Sequence, residues 1–63
     1  MPWSADDYPA SMRHLSTQAR LKAIEIANAL LEEGLEEGMA IRIAIAKAKE
    51  WAARHGLPPR DEE

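Results

Sequence analysis

Ile41, Ala44, Ile45, Ala48 and Ala52 fall on one face of a helix drawn at 100° per residue, with Trp51 at the margin and Arg42, Lys49, Glu50 and Ala53 pointing away. That pattern predicts an amphipathic helix over about 37–55, closed by Gly56, with the prolines of GLPPRDEE preventing continuation. Upstream, TQARLKAIEIANALLEE is rich in helix formers, preceded by Ser16 as a natural N-cap and followed by Gly34 as a left-handed terminator. A first helix over about 16–33 follows. Its apolar arc is wide, running from Ile26 through Ala19, Leu30, Ala23, Ala27 and Leu31 to Ile24 and Leu21. The small residues at 44, 48 and 52 let the two helices approach closely, as in an antiparallel helical hairpin.

One helix cannot cover so wide an arc. Residues 1–15 carry Trp3, Tyr8, Met12 and Leu15, so this arm is the nearest candidate for the second cover, and another copy of the chain is the next. Within the arm, Pro9 can open one short helical turn through Ala10, Ser11 and Met12, since a first-turn residue needs no N–H partner. The fold class expected is therefore all-α: a hairpin clasped by its arm, a single domain over 1–55, and a flexible tail over 56–63. Asn28 and Arg20 fall inside the arc of the first helix. Asn28 should bond to arm or loop backbone, and Arg20 should lay its stem along the surface with its charge in water.

Residues 32–38 read EEGLEEG, the most site-like string in the chain. Glu36 and Glu37 lie near the N-terminal amides of the second helix, where negative charge is favoured, whereas Glu32 and Glu33 face the carbonyl end of the first. A calcium loop needs about 12 residues with oxygen ligands at alternating positions and a closing glutamate, which this string does not supply. It reads as a corner, with Leu35 as its apolar plug and no metal ligands.

The chain has 63 residues, no cysteine, two histidines and a net charge of −3. A domain of this size buries only about 60% of its unfolded-chain surface, so stability should be marginal. Disulfides and thiolate metal sites are excluded. The first residues, MPWSADDYPA, lack the apolar core of a secretory signal, and the longest uninterrupted apolar run, IAIA at 43–46, is far short of the roughly 20 residues of a membrane span. A soluble, cytoplasmic protein with no membrane insertion is expected. His14 and His55 have no matched acid, nucleophile or third ligand, so neither is assigned to catalysis or to a metal. Trp3 and Trp51 read as core anchors, since a base-stacking platform would need more aromatics than this chain has.

The string M-P-W, then D-Y-P-x-S-M-R-H-L at 7–15, then a first helix and the run A-I-R-I-A-I-A-K-A-K at 40–49, resembles the small bacterial ChaB-like proteins. Within that group it is similar to the uncharacterised YdaT-type N-terminal module, and the resemblance covers residues 1 to about 53. ChaB-like proteins are regarded as regulators of cation transport, which implies a partner protein and no catalytic site. The resemblance supplies no catalytic residues to carry across.

The function expected is a non-enzymatic protein-interaction module, with a regulatory role as the ChaB-like resemblance implies. No cofactor or small-molecule substrate is called for. Met39 and Ile43, about 160° and 200° around from Ile41, lie outside the stripe that faces the first helix, and they are the candidate partner-binding residues. The partner would be another protein or a second copy in a weak homodimer. The alternative is nucleic-acid binding through Arg42, Lys47, Lys49 and Arg54, which outnumber the single Glu50 in that stretch. Against it, the cations spread around the helix, and seven corner residues exceed the three or four of a helix-turn-helix.

Overall fold

A computed structural model describes residues 3–58. Two α-helices, α1 (Thr17–Glu32) and α2 (Glu37–Arg54), pack antiparallel, preceded by an arm with a one-turn 3-10 helix at Ala10–Met12. The all-α hairpin is as its periodicity predicts. Ser16 caps α1, its hydroxyl oxygen accepting from the Ala19 amide at 3.3 Å. Helix bounds fall within one residue of expectation, but the corner between the helices is four residues, 33–36, and not seven, because Glu32 completes α1 while Glu37 and Gly38 already belong to α2. Ala19, Ala23 and Ala27 of α1 share one core with Ala44, Ala48 and Ala52 of α2, and a four-residue corner no longer exceeds the turn of a helix-turn-helix.

Both helices stop by the same device. At the end of α1, the Leu35 amide donates to the Leu30 carbonyl at 3.1 Å and the Gly34 amide to Leu31 at 3.0 Å; at the end of α2, Leu57 donates to Ala52 at 2.8 Å and Gly56 to Ala53 at 3.2 Å. This is the paired six-to-one and five-to-two closure in which a residue of positive φ reverses the chain and an apolar residue follows it. Gly34 has φ 100° and Gly56 φ 70°, each followed by leucine. A Cβ built at either glycine meets nothing within 4 Å, so only backbone strain opposes a larger residue. Gly34→Ala and Gly56→Ala should therefore each cost about 1 kcal/mol, and additively, because the sites are far apart. Urea melts of both singles and the double check this; a silent pair would mean that the turns relax without cost.

The core is thin along the helices and filled from the arm. Met12 and Leu15 are the largest fully buried side chains, at 0% exposure, set among the core alanines and Ile24. Trp3 and Tyr8 pack against this core but are only half-buried, so Trp3 is a cover and not the buried anchor its size suggests. Leu21, placed at the edge of the apolar arc by periodicity, is 49% exposed. The start of the tail is not loose: Leu57 packs on the core, and the Pro58 carbonyl accepts from the Ser16 hydroxyl at 2.8 Å. The rest of the tail, 59–63, lies outside the described residues.

Candidate functional site

Polar groups inside the fold serve the arm. Asn28, only 4% exposed, meets the backbone of Trp3 on both sides: its Oδ1 accepts from the Trp3 amide at 3.3 Å and its Nδ2 donates to the Trp3 carbonyl at 3.1 Å. The side-chain amide thus treats the arm as a neighbouring strand would, satisfying one donor and one acceptor at once. Arg20 does more than extend into water. Its Nη1 donates to the carbonyls of Leu15 at 2.9 Å and Arg13 at 3.2 Å, and its guanidinium lies 4.9 Å from the centre of the Tyr8 ring. The Ser4–Asp7 turn, closed by reciprocal backbone bonds of 2.9 and 3.1 Å, folds the rest of the arm. Among the described residues no buried side-chain nitrogen or oxygen lacks a partner.

The polar interior is therefore fully employed in holding the fold, and chemistry must be sought at the surface. A shallow depression of about 200 Å³ on α1 is lined by Glu25, Asn28, Ala29 and Glu32. Its one buried polar side chain, Asn28, already has both halves of its amide engaged, and Glu25 bonds Lys22 at 3.2 Å. His14 and His55 are both exposed; the His55 ring rests 4.8 Å from that of Trp51, and Lys22 lies 5.4 Å from the centre of the same indole. Among the described residues, no three histidines or acids converge as a metal-binding group, and no helix is long and apolar enough to cross a membrane.

The outer face of α2 remains. Asn28, Ile24 and Arg20 mark the flank of α1 that holds the arm, and antiparallel geometry puts that flank on the same side of the hairpin as Ile41 and Ile45. Ile43 points to the other side, half-buried and outside the core cluster, and Met39 is 46% exposed. The two candidate partner-binding residues thus share a turn-to-turn strip that the arm does not cover. The four cations do not form one face: by helical position Lys47 and Arg54 run along one edge of the outer face and Arg42 and Lys49 along the other, with Glu50 between them.

This chain is 64% identical, over 52 residues, to the uncharacterised protein YdaT of Bacillus subtilis, a match that takes in 82% of the chain and 35% of YdaT. The YdaT-type likeness of the arm and helices thus rests on direct identity, and the chain spans about a third of that relative's length. No protein-family model matches the chain, and no solved structure matches it.

Proposed function

We propose that this protein is a small, non-enzymatic interaction module of the bacterial cytoplasm, which docks a protein partner on the outer face of α2. The observation that carries this reading is the Met39–Ile43 strip: apolar, presented by a rigid helix, and left uncovered by an arm that lies on the opposite side. Large apolar side chains on an otherwise polar helix face are the usual mark of a docking surface. The resemblance to ChaB-like proteins makes such docking regulatory. A bacterial homologue containing the same module within a much longer chain fits a recognition unit joined to other functions.

A photoreactive phenylalanine analogue at position 43, in bacterial cells producing the protein, should give a discrete crosslinked adduct. The same analogue at Gln18, exposed on α1, should give none. Ile43→Glu, with a crosslinker at neighbouring Met39, should abolish the adduct while the far-ultraviolet spectrum stays helical. Equal labelling from 43 and 18, or no adduct from 43, would reject the surface.

A further inference from the structure

The chain has no cysteine and three methionines, at 1, 12 and 39, so thioethers are its only sulfur. Met1 lies outside the described residues, and the fold treats the other two in opposite ways. Met12 sits at 0% exposure in the core with Leu15 and the alanines of both helices, so an oxidant reaches it only when the domain opens. Met39 is 46% exposed on the first turn of α2 and stands outside the core cluster. Oxidation there alters the surface and leaves the core intact. A peroxide delivers one oxygen to the Met39 sulfur: the O–O bond breaks, the sulfur is oxidised by two electrons to the sulfoxide, and hydrogen peroxide is reduced to water. The new oxygen is a hydrogen-bond acceptor that must keep its water or find a donor, and Ile43, one turn along the strip, has none to offer. An apolar docking strip thereby becomes a polar one.

We propose that Met39 is a reversible oxidation site, at which conversion of the thioether to the sulfoxide releases a protein docked on the Met39–Ile43 strip. This rests on the docking reading above and supplies its regulation. The fold provides the selectivity, because the same change at Met12 would set a polar group in the core, whereas at Met39 both helices keep their packing. Reversal belongs to a methionine sulfoxide reductase, in which two thiols go to a disulfide and the oxygen leaves as water.

Dilute hydrogen peroxide on the purified full chain, followed by digestion and fragment mass measurement, is the first half of the test. It should add one oxygen to Met39 at least about tenfold faster than to Met12, with the helical far-ultraviolet spectrum kept. The second half uses bacterial cells carrying the photoreactive analogue at position 43. A pulse of peroxide should lower the crosslinked adduct on the order of tenfold, and recovery after its removal should restore it. Met39→Leu keeps an apolar side chain without the sulfur; its adduct, whatever the starting level, should be the same before and after peroxide, which separates oxidation of Met39 from oxidation of the partner. Equal oxidation at 12 and 39, helix lost as Met39 is oxidised, or the same peroxide loss in Met39→Leu would overturn the switch. An adduct that peroxide leaves alone keeps the docking surface and rejects only the switch. No adduct before treatment rejects the surface, and the switch with it.

Discussion

Leu15→Ala should remove a large share of the domain's stability. At roughly 0.05–0.15 kcal/mol per residue, a chain of this length has a stability of about 3–9 kcal/mol. Truncating a fully buried leucine costs about 2–5 kcal/mol, the upper end applying where the surroundings cannot close the cavity. They cannot here: the residues around it are chiefly the alanines of α1 and α2, already at helix-contact distance, with Ile24 and Met12. Met12→Ala should behave similarly. Trp3→Ala should cost less than either, despite the larger ring, because the indole is only half-buried and part of its surface is wet in the folded state. Urea unfolding followed by circular dichroism ranks the three. A loss below about 1 kcal/mol for Leu15→Ala, or a larger loss for Trp3→Ala, would show that the arm's end does not carry the core.

Why the ranking was not visible in the chain itself follows from what periodicity measures. Helix start and stop are local matters: Ser16, Gly34 and Gly56 act on amides and carbonyls within a few residues, so α1 and α2 were legible to within one residue at each end. The outward placement of Met39 and Ile43 was also legible, since it depends only on angle from the helix-facing stripe. Burial of Met12 and Leu15, by contrast, depends on where the arm crosses the hairpin, and a wheel drawn for one helix holds no information about a segment crossing it. The same holds for Arg20, whose partners are carbonyls of Arg13 and Leu15 that come within reach only once the 3-10 turn has brought the chain back. Leu21 shows the converse error: at the outer edge of an apolar arc, position alone does not guarantee a cover. Gly-Leu follows both helices, at 34–35 and 56–57, and that repeated pair marks the shared closure.

Asn28→Asp should make the stability of the domain depend on pH in a direction opposite to that of most acidic residues. The asparagine offers one acceptor to the Trp3 amide and one donor to the Trp3 carbonyl. An ionised aspartate keeps the acceptor, loses the donor and sets a buried negative charge against a carbonyl oxygen, which should cost about 3 kcal/mol or more. A protonated aspartate restores the pattern, its hydroxyl donating to the Trp3 carbonyl while its other oxygen accepts from the amide. The folded state therefore favours the protonated form, and burial adds to that preference, so the carboxyl at 28 is raised above its unfolded value of about 3.9. A group raised in the folded state contributes stability that is fully present below its unfolded pKa and is lost as pH rises through its folded pKa. Relative to the parent protein, the variant should be close to normal in the acid range and fall away progressively as pH climbs above the ordinary carboxylate range. Asn28→Ala supplies the contrast, losing about 1–3 kcal/mol with no added pH dependence, because it removes both bonds without introducing a charge. Melting curves of the parent and both variants across pH 3–8 separate the cases. If Asn28→Asp tracked Asn28→Ala at every pH, the side chain would be a filler, and the arm would be held by Met12, Leu15 and Arg20 alone.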